Sequence, residues 1–357
     1  MTELETRRLG QTAVSVTTIG VGTSPLGGCG VPVPFSDFEA VILAAYERGV
    51  RYFDTAPLYG LGKAEHSLGH ILRVNGLLGD VVLSTKVGRV LKPASRAARA
   101  ETLYPINWIE PLPFVDEYDY SYDGILRSFE DSQQRLGADH IDILYVHDVG
   151  RVWFQESYPR YLKQLRDGGF RALDELRSSG AVSAIGLGVN ETASVLEISR
   201  EFKLDCSLVA GRYSLLNHEP LQEFFPECKR RGISIIAGGV FNSGILAEGS
   251  QGNATNQTYD YQAAPAEILK RVRALEEVCD RHGVTLPAAA LQFVRSHPGV
   301  SSVVVGALGS HHVEANLDAA SSSIPEAFWS ELRERGLIPA DAPTTPAKRI
   351  PGATHQE

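Results

Sequence analysis

Eight short apolar runs alternate with longer amphipathic segments, and this alternation limits the possible folds more than any other feature of the chain. The runs span residues 17–22, 50–55, 81–86, 141–146, 182–188, 204–210, 233–238 and 301–307. The amphipathic segments carry apolar residues three and four positions apart, a spacing typical of helices, and they span 37–49, 65–73, 122–137, 170–180, 192–202, 221–232 and 266–283. Strands that are apolar on both faces and separated by helices indicate a parallel sheet.

Repeated units of this kind predict a closed (β/α)8 barrel as a single domain over residues 1–335, followed by a Pro-rich C-terminal tail over 336–357. An open doubly wound sheet is the alternative. Against it, the glycine-rich segment after the first run, residues 20–30, lacks the G-x-G-x-x-G spacing. Long loops at 88–121 and 239–264 follow the third and seventh runs, and in a barrel both are expected above the active face.

The composition narrows the class of protein. A hydrophobic fraction of 43% supports a substantial core, and a net charge of −9 argues against nucleic-acid or anionic-membrane partners. Cys29, Cys206, Cys228 and Cys279 are far apart, which favours reduced, mostly buried thiols over a disulfide framework or a zinc site. The first ten residues lack the apolar stretch of a secretion signal, and no apolar run reaches membrane-spanning length, so we expect a cytoplasmic protein.

Four polar residues suited to proton transfer stand at or just beyond the ends of neighbouring runs: Asp54, Tyr59, Lys86 and His147. Each has another explanation when taken alone, since Asp54 can cap a turn, Tyr59 can pack on the rim and His147 can lie in the core. Lys86 is harder to explain, because a lysine that ends an apolar strand needs a counter-charge or a cleft. Parallel barrels bring such strand ends to one face, which favours one shared site.

The chemistry gives each of these residue types a role. A free tyrosine has a pKa of about 10, so it does not release its proton readily near neutral pH. A nearby ammonium stabilises the phenolate, and a carboxylate keeps that ammonium charged. A histidine can donate a hydrogen bond to a substrate oxygen. No metal is needed, and the pair His311–His312 lacks the acidic partners of a metal site, so no metal is predicted.

The motifs around these residues resemble the aldo-keto reductase superfamily. DTAPLYG at 54–60, STK at 84–86 and LYVHD at 144–148 occur in the family's order, and the resemblance extends from Arg8 to Asn316. It implies a (β/α)8 barrel that binds a nicotinamide dinucleotide without a Rossmann domain. It also implies that Tyr59 is the general acid and base, that Lys86 and Asp54 tune it, and that His147 orients the substrate.

A narrower resemblance concerns the bacterial aldose 1-dehydrogenases, which include L-fucose and D-threo-aldose dehydrogenases. It is carried by residues 118–137, 184–191, 210–217, 238–246 and 265–272, and pyridoxal 4-dehydrogenases and plant L-galactose dehydrogenases are similar. These relatives oxidise a cyclic hemiacetal to a lactone, with NAD(P)+ accepting the hydride. The leading expectation is oxidation of C1 of a neutral aldose such as L-fucose, a D-threo-aldose or L-galactose. The alternatives are conversion of pyridoxal to 4-pyridoxolactone, general carbonyl reduction and, outside enzymes, a regulatory cofactor-binding subunit.

The resemblance also implies a cofactor site. The segment Gly239 to Leu246 would bind the pyrophosphate, the segment Gly306 to Asn316 the adenosine, and Asn190 the nicotinamide amide. The full predicted set is Thr23, Asp54, Asn190, Tyr213, Gly239, Val240, Phe241, Asn242, Gly244, Leu246, Gly306, Ala307, Leu308, His312 and Asn316.

Departures from the family pattern affect both ends of the cofactor. Gly238 and Ala210 stand where many relatives place a stacking Tyr and a Gln, so the nicotinamide packing is altered, and Tyr213 is the candidate to compensate. Leu308 stands where many relatives carry Arg, and His312 where Arg or Gln is common. A ribose 2′-phosphate needs a permanent cation, so NAD is expected to be preferred, with NADP possible.

The substrate residues are less constrained. Tyr104, Trp108, Tyr118 and Tyr120 either stack on a sugar or a pyridoxal ring or form a small core within the loop. Asp148 either accepts hydrogen bonds from sugar hydroxyls or caps the following turn. The predicted substrate set is Tyr59, Trp108, His147 and Asp148. The sequence shows no cluster of cationic residues near these substrate positions, which disfavours a phosphorylated substrate.

Overall fold

Eight parallel strands close into a barrel in a computed structural model that describes residues 4–95, 97, 107–251 and 257–344. In chain order the strands are Ile19–Gly22 (β1), Tyr52–Asp54 (β2), Val82–Val87 (β3), Ile141–His147 (β4), Val182–Val189 (β5), Cys206–Ala210 (β6), Ser234–Gly238 (β7) and Val300–Gly306 (β8). Each strand pairs with its neighbours in parallel register, and β8 pairs with β1. Every strand overlaps one of the eight apolar runs, so the predicted (β/α)8 barrel is confirmed.

Helices connect the strands and surround the barrel. They are Phe35–Glu47, Lys63–Val74, Tyr122–Leu136, Arg151–Phe154, Tyr158–Gln164, Phe170–Ser178, Ala193–Ile198, Phe224–Arg231, Ile245–Glu248, Ala266–His282, Leu286–Ser296, Ser310–Ser321 and Glu326–Glu334, with a π-turn at Leu165–Gly169. All the predicted helices are present, and most of their ends are shifted by only a few residues. The helix predicted at 192–202 is shorter and ends at Ile198. The helix Leu286–Ser296 was not predicted because most of its residues are buried, which leaves no polar stripe to mark the helical period.

The N-terminal hairpin closes one end of the barrel. Its strands Thr6–Arg8 and Ser15–Thr17 pair antiparallel, and Leu9, Val14 and Val16 pack on the side chains that fill the barrel interior. The backbone N–H of Gly10 donates to Ser234 Oγ at 2.8 Å, at the start of β7. The hairpin therefore covers the amino ends of the strands, and the carboxyl ends remain open for a site.

Both predicted long loops lie beyond the carboxyl ends of the strands and contain hairpins. The first holds the antiparallel strands Arg89–Pro93 and Phe114–Tyr118, and the second holds Thr258–Tyr259 and Gln262–Ala263. Within the predicted tail, the described residues 336–344 form no helix or strand, and Ile338 and Ala342 are buried against the helical layer. Residues 345–357 are outside the described part of the chain.

Two further expectations concern thiols and membranes. All four cysteines are free, and three of them are buried. Across the described ranges, no helix is both long enough and apolar enough to cross a membrane.

A buried carboxylate joins two helices to the barrel next to the predicted site. Glu65 accepts hydrogen bonds from Thr85 Oγ1 at 2.6 Å and from Arg135 Nε at 2.5 Å. The same two helices touch at Gly69, where a Cβ would lie 2.1 Å from Leu136 O. Glu65 therefore fixes β3 against these helices one residue before Lys86.

We expect Glu65→Ala to lower the free energy of unfolding by about 3–5 kcal/mol, because it leaves the Arg135 guanidinium buried without its counter-charge. Urea unfolding followed by circular dichroism measures the change. The control is Glu326→Ala, which breaks the exposed pair with Arg333 and should cost less than about 1 kcal/mol. Equal effects of the two substitutions would show that Glu65 does not stabilise the barrel.

Candidate active site

The four predicted catalytic side chains meet at the carboxyl ends of β2, β3 and β4. Lys86 Nζ donates to Asp54 Oδ2 at 2.7 Å and lies 4.7 Å from the centre of the Tyr59 ring. The ammonium of Lys86 is close enough to Tyr59 for its charge to act on the phenol. The rings of Tyr59 and His147 stand perpendicular with their centres 6.2 Å apart. The structure thus brings together residues that are up to 93 positions apart in the sequence (147 − 54).

The lysine and the aspartate are held by a buried polar network. Lys86 is 1% exposed and makes a second hydrogen bond, to Thr55 O at 2.8 Å. Ser84 Oγ donates to Asp54 Oδ1 at 2.7 Å, and the hydroxyl of Tyr52 lies 3.1 Å from Ser84 Oγ. Burial acts to lower the pKa of Lys86, but the Asp54 carboxylate and Tyr59 outweigh it, so the pKa is raised and the ammonium keeps its charge.

Tyr59 is governed by two opposing effects. Burial is the larger one and raises the pKa of Tyr59 to about 12, while the charge of Lys86 acts to lower it. The expected influence of Lys86 is present, but burial outweighs it in this structure. Tyr59 is therefore protonated at neutral pH, and Lys86 stabilises the phenolate that forms when the proton leaves.

His147 is neutral. Burial, Arg89 and Lys86 together hold its pKa well below the ordinary value. Its Nδ1 has no hydrogen-bond partner among the described residues, and its Nε2 lies 3.6 Å from Asp148 Oδ2. Tyr120 fixes the backbone by donating from its hydroxyl to His147 O at 2.5 Å. A neutral imidazole held in this way can donate one hydrogen bond to a ligand oxygen.

Arg89 is a site residue that the sequence analysis missed. Its guanidinium is 3% exposed and lies between two carboxylates, donating to Asp116 Oδ2 at 2.5 Å and to Asp148 Oδ2. It also lies over the Tyr118 ring at 4.3 Å from the ring centre. The rule about strand ends did not point to Arg89, because Arg89 belongs to the hairpin strand Arg89–Pro93 and not to a barrel strand. The carboxylate of Asp148 therefore pairs with Arg89. The sequence analysis expected it to bind sugar hydroxyls or to cap the following turn, so this is a third role.

The aromatic residues of the first long loop divide into two groups. Tyr118 and Tyr120 pack with Phe154 and Tyr161 from the helices after β4, with ring centres 4.1–6.1 Å apart, and they form an aromatic cluster between the loop and these helices. Trp108 is different, because its ring centre lies 6.2 Å from that of Tyr59. Trp108 therefore borders the space in front of Tyr59, whereas Tyr104 falls outside the described residues.

The predicted cofactor segments follow β5, β7 and β8 at the same end of the barrel. In the segment after β7, Gly239, Asn242, Ser243 and Gly244 have φ values of 60°, 47°, 63° and 114°. Successive residues of this kind turn backbone N–H groups toward a common point and suit an anion. Asn242 Nδ2 is buried without a partner in the described ranges. These features fit the pyrophosphate of a nicotinamide dinucleotide.

The other predicted cofactor positions are placed as follows. Asn190 directly follows β5, and the segment from Gly306 leads into the helix Ser310–Ser321. Thr23 is fully buried, with its hydroxyl 2.9 Å from Thr55 Oγ1 and 3.1 Å from Asp54 O, so that hydroxyl ties β1 to β2.

Tyr213 is not at the barrel mouth, which corrects its inclusion among the cofactor residues. Its ring packs against Phe225, Phe293 and His297, with ring centres 4.9–5.5 Å apart, in the helical layer. It cannot pack on a nicotinamide from this position. The space beside Gly238 and Ala210 is therefore not filled by Tyr213.

Comparisons with known proteins agree with this geometry. The sequence model of the Aldo/keto reductase family matches residues 18–335. The chain belongs to the aldo/keto reductase family. This family uses nicotinamide cofactors, and the protein is an oxidoreductase of this family.

Two relatives of this aldo/keto reductase cover nearly its whole length. Pyridoxal 4-dehydrogenase from Microbacterium luteolum is 46% identical over 341 residues, covering 94% of this chain and 98% of the relative. D-threo-aldose 1-dehydrogenase from a Pseudomonas species is 35% identical over 326 residues, covering 91% and 96%. A solved aldo-keto reductase from Bacillus halodurans, in its holo form, shares the fold with a TM-score of 0.73 at 21% identity, covering 93% of this chain and 96% of that one.

In the described ranges, no group of three or more His, Cys, Asp or Glu side chains is placed to hold a metal ion. When bound, the dinucleotide would supply the ring that accepts or gives a hydride.

We expect Arg89→Met to raise the pKa of His147, because it removes one of the positive charges that hold this pKa down. The rise should exceed about one pH unit, and NMR titration of the imidazole resonances measures it. Arg89→Lys keeps the charge and should leave His147 neutral across the physiological range. An identical titration of His147 in both variants would contradict a role of Arg89 in setting its charge.

Proposed function

We propose that this aldo/keto reductase oxidises the cyclic hemiacetal of pyridoxal to the lactone, with NAD+ as the hydride acceptor. The observation that carries the chemistry is the buried chain of Asp54, Lys86 and Tyr59 beside a neutral His147. The choice of substrate rests on the relative that is 46% identical over nearly the full length of both chains. A neutral aldose, which the sequence analysis ranked first, becomes the second candidate and is supported by the relative that is 35% identical.

The residues divide the reaction into a proton and a hydride. Oxidation removes the proton of the hemiacetal hydroxyl and a hydride from the carbon that carries it. Tyr59 first releases its own proton to solvent, Lys86 stabilises the phenolate that results, and this phenolate accepts the proton of the hemiacetal hydroxyl. His147 donates a hydrogen bond to the same oxygen, which becomes the lactone carbonyl. Because the pKa of Tyr59 is about 12 in the free protein, oxidation is favoured by rising pH.

The charges near the site favour an uncharged substrate. Lys86 is paired with Asp54, and Arg89 is enclosed by Asp116 and Asp148. Neither cation is available to a phosphate group without breaking a buried pair, which is costly. Trp108 beside Tyr59 offers an aromatic surface to a flat ring. Both pyridoxal and a free aldose meet these conditions, and a planar pyridine ring uses the aromatic surface more fully.

Purified protein with NAD+ should oxidise pyridoxal with kcat/KM at least about tenfold above that for L-fucose, D-threo-aldoses or L-galactose, followed by NADH absorbance. Pyridoxal 5′-phosphate should not react, because its ester occupies the hydroxyl that closes the hemiacetal ring. Tyr59→Phe removes one oxygen, so turnover should fall by orders of magnitude while the fold and cofactor binding persist.

Each failure of this experiment has a separate meaning. Faster oxidation of an aldose would replace pyridoxal by the second candidate. Full activity of Tyr59→Phe would place the proton transfer on another group. Cofactor binding without turnover of any substrate would support the binding-subunit alternative.

The adenosine segment supports the preference for NAD+. The backbone N–H of Leu308 donates to His312 Nδ1 at 3.3 Å, and burial together with His311 lowers the pKa of His312, so this imidazole is neutral. Glu248 is close enough for its carboxylate to act on His312. A carboxylate beside the ribose accepts a hydrogen bond from a 2′-hydroxyl and repels a 2′-phosphate.

Wild-type protein should therefore show kcat/KM at least about tenfold higher with NAD+ than with NADP+, and Leu308→Arg should shift this ratio toward NADP+ by about tenfold or more. Leu308→Gln is the control, since it is polar and similar in size but uncharged, and it should leave the ratio nearly unchanged. Steady-state kinetics with both cofactors measure the ratios. A wild-type preference for NADP+ would reject the proposal.

A further inference from the structure

The hairpin of the second long loop makes its turn with an unfavourable residue. Its strands Thr258–Tyr259 and Gln262–Ala263 are joined by Asp260 and Tyr261, whose φ values are 48° and 62°. Two-residue hairpin turns with positive φ at both positions favour Asn-Gly or Asp-Gly, because glycine adopts this conformation without strain. A bulky tyrosine at the second position is an outlier, and such outliers concentrate at functional sites.

The turn is fixed to the rim of the barrel by several contacts. Tyr261 N donates to Ser243 Oγ at 3.0 Å, and Thr258 Oγ1 donates to Ser243 O at 2.5 Å. Arg212 forms an ion pair with Asp260. Arg212 lies just after β6, and a Cβ on Gly211 would lie 3.6 Å from Asp260 Oδ1. The turn therefore sits over the carboxyl end of β6 and is not free in solvent.

The side chain of Tyr261 reaches the residues of the active site. It lies near the side chain of Asn190, which follows β5, and it is close enough to Cys29 and Asp148 for their charges to act on it. The phenol of Tyr261 is also close enough to Tyr59 to influence the pKa of Tyr59. The side chain is nevertheless 55% exposed, although it is surrounded by site residues.

Trp108 borders the same space from the other loop. It pairs with Cys29 in an isolated β-bridge, and its ring lies beside Tyr59. Tyr261 is close to the same two residues. Two aromatic rings, one from each long loop, therefore border the space in front of the Tyr59 hydroxyl.

We propose that Tyr261 is a specificity-determining residue whose ring forms one wall of the substrate site, with Trp108 forming another. The inference rests on the proposed function in that it takes the ligand to be a small ring compound. The strained turn, held by Ser243 and by the ion pair between Arg212 and Asp260, keeps the ring over the site. A glycine at position 261 would adopt this backbone conformation with less strain than tyrosine, but it would not provide an aromatic surface to the site.

The test compares Tyr261→Gly and Tyr261→Phe with the wild type. Glycine removes the ring and relieves the turn, so thermal unfolding should occur at the same or a higher temperature. The KM for pyridoxal should rise at least about tenfold, with kcat changed less than about threefold, since the reacting groups are untouched. Phenylalanine keeps the ring and should change KM by less than about threefold. The Kd of NAD+, from tryptophan fluorescence, should stay within about twofold in both variants.

An unchanged KM in Tyr261→Gly would overturn the proposal. So would a loss of NAD+ affinity with pyridoxal KM unaffected, because the ring would then belong to the cofactor site. If the wild type turns over none of the substrates, the proposed function fails, and the variants are then compared by equilibrium binding of pyridoxal to the NADH-loaded protein. A tenfold weaker Kd in Tyr261→Gly would still support the role of Tyr261, and equal values would reject it.

Discussion

The ion pair between Lys86 and Asp54 is the constraint on which the site depends. Both groups are buried, and removing two charges from water is repaid only when the geometry is good and the remaining hydrogen bonds are satisfied. Here the ammonium also bonds to Thr55 O, and the carboxylate also accepts from Ser84. The barrel interior thus holds a permanent positive charge close to the Tyr59 ring. The protein keeps this charge in place by burying it together with its counter-ion.

The arrangement of charge around the mouth limits what can bind there. Lys86 and Arg89, the buried cations described near Tyr59, already have their counter-ions, and His147 is held neutral by burial and by those same cations. A ligand therefore meets hydrogen-bonding groups and aromatic surfaces with little net charge. This agrees with the relatives of the family that act on pyridoxal and on aldoses.

The sequence predicted the barrel and the catalytic constellation well, for physical reasons. Strands buried on both faces leave continuous apolar runs, and parallel strands bring their last residues to one face, so Asp54, Lys86 and His147 could be placed together without coordinates. Arg89 and Tyr261 could not, because their positions depend on hairpins in loops where no periodic pattern applies. Tyr213 was misplaced since its adjacency to β6 does not fix the direction of its side chain.

The hairpin at the amino ends of the strands leaves only the other end of the barrel free for ligands. A dinucleotide and a substrate would then both approach from the carboxyl ends of the strands, and the ligand that lies deeper is expected to bind first and to leave last.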